Sequence, residues 1–350
     1  CAVCGIGMGF FRALIPFMIL RLLLGAAQGA FTAAPYILVR EINEPKDVPK
    51  AMGLLSSSIA VGGFVGSIIA GILTDMGFLN IAIMFPAIPL IIGVLLIGMN
   101  LPNKKQEGKV NVDVPGIVAL TIALSGILLA LNYGPRIGWG DVKIIVGFII
   151  GIIAVFIFVK VENKSQEPVI PMHLFKNKNY ISLLVVGFIC YFYMNAMNTF
   201  APLAVQKVIG SSTAVSGALQ MPRTIITIVL PLIAGAWVGK KAQNVWKSMV
   251  IATLLVGVPL AVLGFTTTNT SVMIYFVAIA ITGIAESFRA VSITPAAQAT
   301  LEQKELGVGT SLVNFVNSLS GLIAAAVFGI AYDINTKADP QSVSNIAAGV

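Results

Sequence analysis

Apolar stretches separated by short polar segments recur along the whole chain. As an α-helix, a stretch of about 20 apolar residues crosses the hydrocarbon core of a bilayer. The pattern predicts a partial helix at residues 1–10 followed by ten full spans. These spans cover residues 14–39, 51–74, 79–100, 114–133, 141–161, 179–206, 213–238, 246–266, 271–295 and 307–332. We therefore expect an all-α, polytopic membrane protein.

The composition agrees with this pattern. Hydrophobic residues make up 57% of the chain and charged residues 10%, whereas soluble domains have roughly 25% charged residues. The net charge is +8, but the basic residues lie in loops between apolar runs, so we expect no nucleic-acid partner. We expect the lipid bilayer to be the surroundings of the protein.

The distribution of basic residues predicts the orientation in the membrane. One set of alternate loops carries most of them: Arg40, Lys46, Lys50, Lys104, Lys105, Lys109, Lys160, Lys164, Lys176, Lys178, Lys240, Lys241, Lys247 and Lys304. The other set carries only Arg12, Arg136, Lys143 and Lys207. By the positive-inside rule, the first set is cytoplasmic. This indicates a multi-pass protein of the cell membrane.

Motifs for metal, cofactor or ATP chemistry are not found. Cys1 and Cys4 have C-x-x-C spacing, but without a second pair we interpret them as small apolar helix residues. His173, the only histidine, lies in a loop and is interpreted as interfacial. No G-x-x-x-x-G-K-[ST] loop and no H-E-x-x-H helix occurs. We expect no cofactor, no metal site and no enzyme activity.

Charged residues inside predicted spans are costly and mark functional candidates. Arg21 is followed by small residues, so it faces a cavity or, alternatively, snorkels from a helix end. Glu286 and Arg289 are three residues apart on one helix face. They form either a structural ion pair or a proton or substrate site. Glu286 is the only acidic residue deep in any predicted span, which makes it the best candidate for proton uptake.

Two further groups of polar residues accompany these charges. Arg223 follows Pro222, and a proline-bent helix beside a cation suits an anion or counter-ion site; the alternative is an arginine near the external interface. Tyr191, Asn195 and Asn198 share a face of their predicted helix. They form either a ligand-binding wall with neighbouring methionines or hydrogen bonds between helices.

The first two full spans resemble the major facilitator superfamily, most closely its fourteen-helix drug:proton antiporter branch. Arg21 and Gly25 stand where the R-x-x-Q-G pattern of the fourth helix has its arginine and glycine, with Leu24 in place of the glutamine. Gly53, Gly62 and Gly66 keep the glycine spacing of the antiporter motif of the fifth helix. Such small residues predict close helix packing.

The antiporter motif has a proline after its third glycine, and this chain has Ser67 there. The rest of the chain resembles the branch up to its thirteenth helix, so we expect a fragment that lacks the first two helices and the last. The resemblance implies two pseudo-symmetric helix bundles around a central cavity, with a two-helix insert. The expected segments are residues 1–100 for the first bundle, 101–162 for the insert and 163–350 for the second bundle.

The resemblance implies a monomeric secondary transporter that exports amphipathic or cationic small molecules in exchange for protons. Its partners would be the small-molecule substrate and protons. An importer or symporter of the same superfamily, and a membrane sensor without transport, are the alternatives.

Overall fold

The computed structural model describes residues 1–10, 13–100, 113–165, 168–207, 209–265 and 270–338. The α-helices within this part of the chain, in order, are α1 (Ala2–Phe10), α2 (Leu14–Ile42), α3 (Val48–Asp75), α4 (Leu79–Met84), α5 (Ala87–Asn100), α6 (Val114–Ile137), α7 (Val142–Glu162), α8 (Lys178–Lys207), α9 (Thr213–Ala218), α10 (Met221–Gly239), α11 (Ala242–Gly264), α12 (Val272–Ala290), α13 (Ile293–Ala299) and α14 (Leu306–Ala338). Short 3₁₀ helices occupy Met172–Lys176 and Gln303–Glu305.

Ten helical segments of the described chain are long and apolar enough to cross a membrane. They correspond one to one to the ten predicted spans, so the all-α, polytopic fold class is confirmed. Several residues that entered the orientation argument lie outside the described residues: Arg12, Lys104, Lys105 and Lys109. The side chains of Arg136 and Lys207 are likewise not described.

Three of the predicted spans are each divided into two helices. The divisions separate α4 from α5, α9 from α10, and α12 from α13. Pro86, Pro222 and Pro295 lie at or just after these breaks. Proline has no N–H, and its ring clashes with the carbonyl four residues earlier. Accordingly, α9 ends at Ala218, four residues before Pro222.

The chain divides into two compact units. The first consists of Cys1–Leu38 and Ser58–Val110, and within it α1 packs on α4 and α5. The second consists of Val39–Ser57 and Asn111–Val350, and its main helix pairs are α6 with α7, α8 with α14, and α12 with α10 and α11. The expected three-segment division of the chain stays a prediction.

Glycines determine the close contact between α6 and α7. A Cβ at Gly126 would lie 2.7 Å from the carbonyl oxygen of Gly147 and 2.9 Å from Cα of Gly151. A Cβ at Gly151 would in turn lie 2.8 Å from Cγ1 of Ile127. Only residues without a Cβ allow backbones to approach this closely. The two helices therefore form a tight antiparallel hairpin, joined by a turn in which the N–H of Asp141 donates to the carbonyl of Gly138.

Candidate functional site

Three helices of the second unit, α8, α10 and α12, bring their polar residues together in one network. Nη2 of Arg223 on α10 lies 2.5 Å from Oε2 of Glu286 on α12. Nη2 of Arg289, one turn further along α12, lies 4.0 Å from the other carboxylate oxygen, Oε1. Glu286 thus bridges two arginines, and its shorter contact is with the residue on the neighbouring helix.

A glycine allows this contact between α10 and α12. A Cβ at Gly283, three residues before Glu286, would lie 3.0 Å from both Cα and the carbonyl oxygen of Arg223. Arg223 lies in the first turn of α10, because the helix begins at Met221 with Pro222 in its first positions. The helix dipole disfavours a cation there, so the carboxylate of Glu286 compensates for an otherwise unfavourable placement.

Asn198 connects α8 to the same network through two groups. Pro202 lies four residues later and has no N–H to donate to the carbonyl of Asn198. Nε2 of Gln220 lies 3.4 Å from this carbonyl oxygen and donates to it. The side chain of Asn198 acts as well, since Nη1 of Arg223 donates to its Oδ1 at 2.7 Å.

Tyr191 on α8 holds the second arginine. Cζ of Arg289 lies 4.2 Å from the centre of the Tyr191 ring, within the range of a cation–π interaction. Nη2 of Arg289 also donates to the Tyr191 hydroxyl at 3.2 Å. Arg289 lies in the last turn of α12, where the helix dipole favours a cation. The two arginines therefore differ in how much they depend on Glu286.

The burial of the three charged side chains makes their pairing important. Their exposed fractions are 18% for Arg223, 23% for Glu286 and 7% for Arg289. An uncompensated charge at this depth is costly. With Glu286 ionised, the network carries two positive charges and one negative charge. The carboxylate of Glu286 therefore supplies the negative charge that joins α10 to α12.

Asn195 makes different contacts from Tyr191 and Asn198, the two other polar residues of this face of α8. Its Nδ2 donates to the carbonyl of Tyr191 in the same helix at 2.9 Å. A Cβ at Gly321 on α14 would lie 2.8 Å from this Nδ2, so Asn195 lies against α14. The structure places Asn195 at a helix–helix contact, while Tyr191 and Asn198 contact the arginines.

The predicted packing glycines do not all have neighbours. A Cβ at Gly53 would overlap the carbonyl oxygen of Pro231 on α10, so the beginning of α3 packs closely there within the second unit. At Gly25, Gly62 and Gly66 a Cβ would meet no described atom within 4 Å. Close packing is thus seen at Gly53 and is not seen, within the described residues, at the other three. A glycine permits a close contact but does not create one, so packing at those three stays a prediction.

Arg21 lies on α2 in the first unit, and its side chain is exposed. Among the described residues it has no ion-pair partner. A cavity-facing role for Arg21 therefore stays a prediction.

Two residues of the network were not identified from the sequence, Gln220 and Gly283. Both had a signal. Gln220 is a polar residue two positions before Pro222, at the break between α9 and α10. Gly283 is a small residue one turn before Glu286 on the same helix face.

Comparison with known proteins assigns the family. A sequence model of the Major Facilitator Superfamily matches residues 1–325. The chain belongs to the major facilitator superfamily.

Two similar members come from Bacillus subtilis (strain 168). The multidrug transporter protein MdtP is 28% identical over 336 residues, which cover 94% of this chain and 60% of MdtP. Multidrug resistance protein 3 is 23% identical over 335 residues, which cover 94% of this chain and 63% of the relative.

A third relative comes from Mycobacterium tuberculosis (strain ATCC 25618 / H37Rv). The multidrug resistance protein Stp is 24% identical over 312 residues, which cover 87% of this chain and 56% of Stp. The chain therefore spans about three-fifths of the length of these relatives. Together with the ten membrane-crossing segments, the match identifies a multi-pass membrane protein of the superfamily.

Proposed function

We propose that the protein is a secondary active transporter that exports amphipathic or cationic small molecules in exchange for protons. The printed names of the relatives, two multidrug resistance proteins and one multidrug transporter, support this substrate class. This proposal places the chain in the fourteen-helix drug:proton antiporter branch, as a monomer. The proposal rests chiefly on one observation, the carboxylate of Glu286 bridging arginines on α10 and α12.

The network supplies an element with two states. When Glu286 is ionised, it attracts both arginines and holds α10 against α12. When it is protonated, Arg223 keeps its bond to Asn198 and Arg289 keeps its contacts with Tyr191, but the carboxylate link is weakened. A proton that binds one arrangement of the helices better than the other shifts the population between them. Coupled to substrate binding, this shift gives alternating access.

The test is substrate-driven proton flux in proteoliposomes that contain the full-length protein and a pH-sensitive dye. A fluorescent lipophilic cation such as ethidium serves as substrate. We expect Glu286→Gln to bind the cation and to move no protons. Glu302→Gln is the matched control, because Glu302 is an exposed carboxylate just before α14, at its predicted cytoplasmic end, and pairs with Lys304. Normal proton flux in Glu286→Gln would place the coupling site elsewhere.

One structural feature supports an alternative, an importer or symporter. Where the antiporter motif has proline, Ser67 donates its hydroxyl to the carbonyl of Phe64, and α3 runs without interruption from Val48 to Asp75. The kink source of the antiporter branch is therefore replaced by regular helix at this position. The sign of the flux decides between the two: protons move against the substrate in export and with it in symport. Cation binding without any flux would instead favour a sensor.

A further inference from the structure

Two carboxylates lie at the same end of the α6–α7 hairpin, away from the arginine network. Asp113 caps the beginning of α6, where its Oδ1 accepts from the N–H of Gly116 at 2.8 Å. Glu162 is the last residue of α7, and its Oε2 accepts from the N–H of Ile170 at 3.2 Å. Each carboxylate therefore uses one oxygen to hold a backbone N–H. This end of the hairpin is the predicted cytoplasmic end.

The other two oxygens share one small space. Oδ2 of Asp113 and Oε1 of Glu162 lie 2.8 Å and 2.9 Å from a single point, the position that a Cβ of Gly116 would occupy. Both atoms are buried, and neither has a hydrogen-bond partner among the described residues. Glu162 is only 3% exposed. Two buried carboxylate oxygens that have no described partner thus border one space, which glycine leaves open.

None of the described charged groups around this pair forms an ion pair with either carboxylate. These groups come from the end of α7 and the residues after it, from the segment that leads into α8, and from the segment before α14. They are Lys160, Lys164, His173, Lys176, Lys178, Glu302, Lys304 and Glu305. All are exposed except Glu305, which pairs with His173 at 2.5 Å. The side chains that pack beside the hairpin end are apolar, among them Phe158 and Ile170.

Two ionised carboxylates in one buried space repel each other, and such pairs characteristically share a proton. One proton would satisfy both unpartnered atoms, because it converts one oxygen into a donor and leaves the other as its acceptor. We propose that Asp113 and Glu162 form a proton-binding site, in which a single proton is shared between Oδ2 of Asp113 and Oε1 of Glu162.

Occupancy of this site affects the hairpin and the segment that follows it. With the proton bound, Glu162 can keep its bond to Ile170 while it contacts Asp113. Loss of the proton leaves two like charges that push the beginning of α6 away from the end of α7. The site therefore links the protonation state at this end of the hairpin to the packing of residues 168–170. This inference does not depend on Glu286 or on the proposed transport activity.

The experiment uses infrared spectroscopy of the purified protein in lipid at neutral pH. We expect the C=O band of a protonated carboxylic acid, and we expect Glu162→Gln and Asp113→Asn each to abolish it. Asparagine caps a helix as well as aspartate does, so Asp113→Asn keeps the helix start. The matched control is Asp141→Asn, because Asp141 caps α7 at the opposite end of the hairpin; this variant should keep the band.

Thermal unfolding at several pH values gives a second readout. The wild-type Tm should fall as rising pH removes the shared proton, because the two carboxylates then repel each other. In Glu162→Gln the amide is a permanent donor to Asp113, so this part of the pH dependence should disappear. Carbon-13 labelling of the glutamate and aspartate carboxyls assigns the band in the wild-type protein. The proposal can therefore be tested even if a variant folds poorly.

Two outcomes would overturn the proposal. The first is a band that neither Glu162→Gln nor Asp113→Asn weakens. The second is the lack of any band in the wild type, together with a Tm that Na⁺ or Mg²⁺ raises in the wild type but not in Asp113→Asn. That result would show a metal cation, not a proton, between the carboxylates.

Discussion

Replacing Glu286 by glutamine should destabilise the protein mainly through Arg223. The two contacts of Glu286, at 2.5 Å and 4.0 Å, correspond to attractions of roughly 6.5 and roughly 4 kcal/mol at an effective dielectric constant of about 20. Desolvation offsets most of this attraction, but breaking a buried pair costs about 3–5 kcal/mol because a charge is left uncompensated. Since Glu286 is 23% exposed, we expect a smaller loss, about 2–3 kcal/mol.

The helix dipoles make Arg223 depend more strongly on Glu286 than Arg289 does. Arg223 lies in the first turn of α10, where a cation is disfavoured, and Arg289 lies in the last turn of α12, where a cation is favoured. Arg289 also keeps its contact with the Tyr191 ring when Glu286 is neutral. We therefore expect a coupling free energy of about 2 kcal/mol between positions 286 and 223, and about 1 kcal/mol or less between 286 and 289.

Two double-mutant cycles measure these couplings. The first combines Glu286→Gln with Arg223→Gln, and the second combines it with Arg289→Gln. The free energy of unfolding is obtained for every variant by titration with a denaturing detergent in mixed micelles. The double variant at 286 and 223 should be more stable than the sum of its single changes implies. An equal or larger coupling between 286 and 289 would refute the argument, as would zero coupling in both cycles.

Substitutions at four other positions test helix contacts. Gly53→Ala should lower the free energy of unfolding by about 1–3 kcal/mol, because its Cβ would overlap a carbonyl oxygen of α10. Gly62→Ala should leave the free energy of unfolding unchanged or raise it by up to about 1 kcal/mol. Thermal unfolding of both variants shows whether each one is destabilised or stabilised. Gly126→Ala should force α6 away from α7, and cysteine pairs placed across the hairpin should then cross-link less efficiently. Tyr191→Phe should lower the free energy of unfolding by about 0.5–1.5 kcal/mol, because one hydrogen bond is lost. Tyr191→Leu should lower it further, because this change also removes the ring that contacts Arg289. The order of the melting temperatures of the two variants checks this.

The spans were predictable because a bilayer imposes one strong condition on the chain. Every backbone N–H and C=O in hydrocarbon needs an internal partner, so long apolar segments must be helical. Hydropathy alone therefore located all ten segments, from α2 to α14. A bend at Pro222 was predicted, but the breaks at Pro86 and Pro295 were not. Hydropathy does not register them, and Pro35 and Pro259 lie within helices that continue past them.

The candidate site was predictable only where its contacts are local. The spacing of Glu286 and Arg289 follows from helix geometry, and the structure does bring the two together. The shorter contact, between Glu286 and Arg223, joins residues 63 positions apart, and no local pattern encodes such a pairing. The same limit applies to glycines: the sequence shows where a helix can be approached closely, and Gly53 and Gly62 look alike until a partner helix is placed.

Prolines provide the signal that could have joined the separate parts of the site. Two helices of the network have one nearby: Pro202 follows Asn198 on α8, and Pro222 precedes Arg223 on α10. Inside a membrane, backbone groups released by a proline need new partners, which only other parts of the protein can supply. Gln220 supplies one to Asn198. A proline near a polar or charged residue within an apolar span therefore indicates a position that must be buried against another helix, and two such positions in one bundle indicate that they face one another.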